Sequence, residues 1–293
     1  MINHTLLVPS SRESKDWFEF VNSSLNVNHR IDTLTVDFNG VYFLETDDFV
    51  ILACLIETFY TKGSIITFKG GTDKFNAHLH NIKFKEYWKE GFDRDRFTIS
   101  LNSTTLCLWK ISQEMIYSYS NYANQYFSRF AENKDLTPLS SNIDEVFNNI
   151  FDHSQSKISG YIITQYYPKN KKISFSACDF GRGIPKSIND TRIANNEKSI
   201  EDWRALSLAI EEGFSIKSSP QNRGLGLNNI LTFTENNKGS LAIISNDGVL
   251  LKKADGDFKF GTSNFDFSGT LIKVEVDLNS FDQKDDSNEI IDF

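Results

Sequence analysis

Along the first hundred residues, short apolar runs alternate with amphipathic stretches. TLLVP and the alternating IDTLTVDF predict strands, and KDWFEFVNSSL between them predicts a helix. DDFVILACLIETFYTKG follows, with acidic residues at its start and Lys62-Gly63 at its end, as a helix dipole and a C-cap favour. SIITFKGG predicts a further strand, DKFNAHLHNIKF a helix, and RFTISLN a strand that closes the segment near residue 102. This alternation implies an N-terminal α/β domain over residues 1–110.

From residue 111 the pattern changes. Tyr119, Tyr122, Tyr126 and Phe130 recur three and four apart and form an aromatic stripe on one helix face. Burial against a neighbouring sheet is the plain reading, and a dimer or interdomain contact is the alternative. Thr137-Pro138 breaks that helix, and LSSNIDEVFNNIFDHS starts the next. KISGYIITQYYP and KKISFSACD predict two strands around a PKN turn. A glycine-punctuated stretch, a helix around EDWRALSLAIEEG, a second glycine cluster and a helix through Asn236 come next. GSLAIIS, GVLLKK, FKFG and GTLIKVEVDL then predict four strands. The expectation for residues 111–280 is a mixed, mostly antiparallel sheet with helices on one face, followed by an acidic tail over 281–293.

Composition narrows the function classes. A chain of 293 residues with 39% apolar and 24% charged residues is that of an ordinary folded protein long enough for two domains. A net charge of -8 opposes general nucleic-acid or anionic-membrane binding, so an anionic ligand requires a local site. Cys54, Cys107 and Cys178 form no CxxC or Cys/His ligand spacing, which fits a reducing compartment. The N-terminus carries no signal-like run, and FVILACLI is too short to span a bilayer, so a cytoplasmic protein is expected.

Candidate chemistry lies in four pieces. Glu145 and Asn149 stand four apart on one predicted helix face, where a carboxylate can deprotonate water and an amide oxygen can ligate a largely hydrated Mg²⁺. Taken alone, such a pair is usually a solvated helix face. Asp179 ends the apolar strand ISFSAC and opens DFGRGIP; its carboxylate can accept from a base amino group, and Gly181 and Gly183 let the backbone approach a flat ring. Asn222-Arg223-Gly224-Leu225-Gly226-Leu227 leads into a helix whose free N–H groups suit phosphate oxygens, with Lys217 and Arg223 as nearby cations. Gly269-Thr270 begins the last predicted strand and brings a hydroxyl.

The order DEVFNNIFDHS, DFGRGIP, FSIKSSPQNRGLGL and SGTL resembles the N-box, the two glycine boxes and the final Gly-Thr of the GHKL ATPases, a family that includes gyrase and the sensor histidine kinases. The resemblance implies a Bergerat-type α/β sandwich that binds ATP and Mg²⁺. It makes Glu145 the general base, Asn149 the metal ligand, Asp179 the adenine-reading carboxylate and Thr270 the adenine-pocket hydroxyl. Gly181 and Gly183 become a lid hinge, with Ile184 beside them; Gly224 and Gly226 become the phosphate turn, flanked by Leu225 and Leu227. His153 falls where a polar phosphate contact is common, although it also fits a surface helix position. Residues 185–223 become the lid, and Ile150 departs from the alanine that commonly follows the asparagine.

VDFNGVYFLETDDFVILACLIETFYTKGSIITF is similar to the STAS fold of anti-anti-sigma factors. Asp47 stands where those proteins carry a phosphorylatable serine, which implies a permanent negative charge at a helix start; complementing the helix dipole is the simpler role. Together the resemblances imply a slow ATPase acting as a nucleotide-dependent switch, with ATP/ADP as ligands and a protein partner at the STAS-like part or the lid. A serine- or histidine-directed protein kinase and a non-hydrolysing binding module are the alternatives, and homodimerisation stays open. No histidine precedes the N-box on a long dimerisation helix, since His78 and His80 lie in the first segment.

Overall fold

The computed structural model describes residues 2–284 except 12, 28, 95–103, 112–115, 154, 159 and 212–225. The chain is α/β, with two sheets among the described residues. In the first, β1 (Asn3–Leu7), β2 (Thr33–Asp37) and β3 (Ile65–Lys69) run parallel in the order β1-β2-β3. Helices α1 (Ser14–Leu25) and α2 (Thr46–Tyr60) form the crossovers that parallel pairing demands, and α3 (Asp73–Asn81) follows β3.

The second sheet is antiparallel throughout. It comprises β4 (Thr105–Lys110), β5 (Tyr161–Tyr167), β6 (Lys172–Asp179), β7 (Ser240–Lys252) and β8 (Phe258–Asp277), in the order β4-β5-β6-β8-β7. The four expected C-terminal strands are thus two long ones. Register shifts between Ser245 and Gly248 let β7 stay paired across what the sequence presents as an interruption. RFTISLN lies outside the described residues; the strand that follows it, TLCLWK, carries the uninterrupted apolar run LCLW and belongs to this second sheet.

Side-chain parity assigns the two faces of this sheet. Ile173, Phe175 and Ala177 of β6, Ile272 and Val274 of β8 and Leu241 and Ile243 of β7 share one core with α4 (Ile116–Ser128), α5 (Thr137–His153), α6 (Ile184–Ala194), α7 (Asp202–Ile210) and α8 (Gly226–Asn236). The opposite face, expected to be bare, is covered by α2. Small residues on β6 admit the helix: Thr46 Oγ1 lies 3.0 Å from Ser174 Oγ and 2.7 Å from Ser176 Oγ, and the Cys54 thiol donates to the Cys178 carbonyl at 3.2 Å. Sandwiched between two sheets, α2 buries Phe49 through Glu57 without a break, which explains why its sequence is apolar all round.

The interior therefore does not divide at residue 110. β4 precedes that expected boundary yet forms an edge of the second sheet, and one apolar cluster runs from Leu34 and Leu52 to Tyr161, Phe267 and Leu271. The expected tail is also shorter. Phe281 is buried against Phe233 with ring centroids 6.0 Å apart, and the Asp135 N–H donates to the Asp282 carbonyl at 2.9 Å. In the aromatic stripe, Tyr119 and Tyr126 are buried and the Tyr119 hydroxyl lies 2.9 Å from Thr164 Oγ1 of β5, whereas Tyr122 faces solvent and Ala123 and Phe127 take its place. The three cysteines are free thiols, and no helix among the described residues is long and apolar enough to cross a membrane.

Candidate functional site

Asp179 is the last residue of β6 and points to the helix-covered face, two residues on from Ala177. It is 1% exposed, and its Oδ1 accepts from the Gly181 N–H at 2.7 Å. Burial raises its pKa to about 7, against the opposing pull of backbone donors from Gly181 and Thr270. No lysine, arginine or histidine pairs with it among the described residues.

Thr270 of β8 is the register partner of Asp179. The two line a narrow, open cleft together with Asn149, Ile150, Gly183, Ile184 and Ile272. The space free inside it is about 10 Å³, on the order of one water, so a larger ligand enters only if its walls part. The loop between Asp179 and α6 is held tightly. Gly183 is the N-cap of α6 with φ 81, and a Cβ there would come within 2.8 Å of Ser245 Oγ. Asn246 donates to the Arg182 carbonyl at 3.2 Å, and Arg182 reaches Ser187 Oγ at 2.8 Å.

Helix α5 supplies the facing wall. Asn149 donates its amide N–H to the Glu145 carbonyl at 2.9 Å, which turns the amide oxygen away from its own helix. Glu145 is half-buried one turn earlier. Gly226 opens α8 directly against both: a Cβ there would overlap Glu145 Oε1 and stand 3.1 Å from Asn149 Nδ2. Only glycine lets α8 start this close to α5. Ile150 is accommodated over Gly160, where a Cβ would sit 3.4 Å from Ile150 Cγ2.

The fold thus gathers Glu145, Asn149, Asp179, Gly183, Ile184, Thr270 and Gly226 around one region, with Gly181 holding Asp179. Leu227 does not join them; it is 5% exposed and packs into the core, as its place on the inner face of α8 requires. Within the expected lid, Ile188, Ala205 and Leu206 are core residues, so α6 and α7 are fixed parts of the domain. Lys217, Arg223, Gly224 and Leu225 lie outside the described residues, as does the side chain of His153 at the end of α5. Ser245 and Asn246 were not foreseen. The signal was available: GSLAIIS alternates, and parity turns Ser245 to the same side as Leu241 and Ile243.

A second charged cluster lies on the opposite face. Lys273 of β8 pairs with Asp47 at 2.8 Å and also with Glu45, so the negative charge expected at Asp47 is balanced by the sheet. Asp48 completes a capping box by accepting from the Glu45 N–H at 2.9 Å. No protein-family model matches this chain, and no curated protein matches it either.

Proposed function

We propose that the chain binds Mg-ATP in the cleft between α5 and the end of β6, and that it is a slow ATPase acting as a nucleotide-dependent switch. The observation that carries this reading is Asp179, a buried carboxylate with no cation among the described residues, which shares the lining of a cleft with Thr270 and Asn149, one helical turn from Glu145. Buried, unneutralised acids are characteristic of sites completed by a ligand. An adenine amino group would add a further donor to the carboxylate, which has acceptor sites beyond its two backbone donors. The Asn149 amide oxygen is a fit for hydrated Mg²⁺, which would neutralise phosphate charge. Glu145 stands as the base that takes a proton from water.

The switch follows from crowding. Gly226 sits so near Glu145 and Asn149 that a side chain has no room there, so phosphate oxygens entering beside them would displace the start of α8. Lys217, Arg223 and the glycines of the second box would supply the remaining phosphate contacts.

The reading is tested by incubating the protein with γ-labelled Mg-ATP beside Glu145→Ala. Free phosphate released catalytically by the wild type and lost in the variant supports the ATPase. Full turnover by the variant removes Glu145 from the role of base. Label retained on the protein favours a kinase, and nucleotide binding without either product favours a binding module.

A further inference from the structure

Ser245 is fully buried and joins three parts of the cleft. Its Oγ lies 2.8 Å from the Gly269 carbonyl, 2.9 Å from Thr270 Oγ1 and 2.9 Å from the Ile184 N–H. A serine hydroxyl has one proton and two acceptor sites. The Gly269 carbonyl can only accept, so the Ser245 proton goes there. The Ile184 N–H fills one acceptor site. Thr270 can then complete the set only by donating its own proton to Ser245. The Thr270 oxygen consequently has no proton left for the cleft that it lines, and ionised Asp179 beside it is an acceptor as well.

We propose that Ser245, through Thr270, makes this end of the cleft acceptor-only and so selects a 6-amino purine over a 6-oxo purine. The inference rests on the nucleotide reading above and adds a specificity-determining residue to it. A 6-amino group brings two donors to two acceptors. A 6-oxo group brings a third acceptor to that position, and the N1–H that accompanies it lies at the neighbouring ring atom, so the 6-position is left unpaired, the condition under which polar sites discriminate most strongly. Ser245 does not line the cleft and acts only by fixing the proton of Thr270.

The test measures binding of Mg-ATP and Mg-ITP at pH 8, where Asp179 is ionised, to the wild type, Ser245→Ala, Thr270→Val and the double variant. ITP differs in carrying the 6-oxo group and the N1–H that goes with it. The wild type is expected to prefer ATP. Ser245→Ala frees the Thr270 proton to turn into the cleft, and the ATP/ITP preference should fall roughly ten-fold, the scale of one hydrogen bond. In the Thr270→Val background the same change should alter the ratio less than about two-fold, because the effect runs through Thr270.

Ser245→Cys keeps the shape with a weaker donor and acceptor, and should shift the ratio in the same direction by less. It provides the answer if the alanine variant does not fold. Equal weakening of both nucleotides, with the ratio unchanged, means that Ser245 only supports the fold and overturns the proposal; so does an undiminished shift in the Thr270→Val background. If the wild type binds ATP and the ratio does not move, Ser245 alone loses its role. If the wild type binds neither nucleotide, the nucleotide reading falls and the selectivity with it.

Discussion

Glu57 and Asp179 are buried carboxylates on opposite sides of the same sheet, and their surroundings differ in one respect that separates structure from function. Glu57, at 3% exposure, lies on the α2 side and accepts from Arg94 at 2.6 Å, the Tyr161 hydroxyl at 2.8 Å and the Trp88 indole at 3.0 Å. Its charge is balanced and its donors come from three parts of the chain. Asp179 has backbone donors and no cation among the described residues. A buried charge with its own cation locks a packing arrangement; one held only by backbone donors has acceptor sites left that a ligand's donor can use.

Isosteric neutralisation breaks the comparison most directly. Glu57→Gln leaves Arg94 facing an uncharged amide in a dry interface, and denaturant unfolding should show a loss of about 3–5 kcal/mol. Asp179→Asn removes a charge that has no counter-ion among the described residues. Its folded pKa is raised from 3.8 to about 7, so the wild-type fold loses stability as pH rises across that interval, and the asparagine variant is spared that loss. At pH 8 Asp179→Asn should unfold no more readily than the wild type. Comparable destabilisation by both changes would show that the two carboxylates do the same job.

The next effect in size is on binding. Asp179→Asn keeps the shape but offers an amide in place of a charge-assisted acceptor, which costs about 1.5–3 kcal/mol. ATP affinity should therefore fall roughly ten- to hundred-fold in a calorimetric titration. Unchanged affinity would sink the assignment of Asp179 as the base-reading group. The same linkage predicts a pH signature for the wild type. Adenosine, which carries no phosphate to titrate, should bind more tightly as pH rises from 6 to 8, because its amino group favours the ionised carboxylate.

Much of this contrast is legible in the sequence, but only from one side. Asp179 follows an apolar strand and precedes two glycines, a local signal that needs no knowledge of what packs where. Glu57 offers none, since its partners arrive from residues 88, 94 and 161. The helix of Thr46–Tyr60 was readable from its apolar run and acidic start, yet periodicity cannot say that a second sheet covers its other side. Thr105–Lys110 was missed as a strand because a run buried on both faces does not alternate. Ser245 carries no local signal of its partners, because a hydroxyl inside a strand finds them only once β8 and α6 are in place.

Asp48 lies between the two extremes and gives the finest test. On the α2 side, Lys273 is already shared by Glu45 and Asp47, so the third carboxylate has a cap to make but no cation of its own. Burial, reinforced by the charge of Asp47, raises its pKa from 3.8 to about 7. A raised folded pKa means that stability present at low pH is lost as pH climbs toward 7. Asp48→Asn keeps an oxygen to accept from the Glu45 N–H, so the cap survives while the charge goes. The relief at pH 8 is partly offset by roughly 0.3–1 kcal/mol of lost helix-dipole stabilisation. The net gain should be on the order of 1 kcal/mol at pH 8, shrinking toward zero at pH 4, where the wild-type side chain is protonated. Unfolding curves at pH 4, 6 and 8 decide it. An offset that stays constant with pH would mean that packing around Asp48, rather than its charge, governs the start of α2.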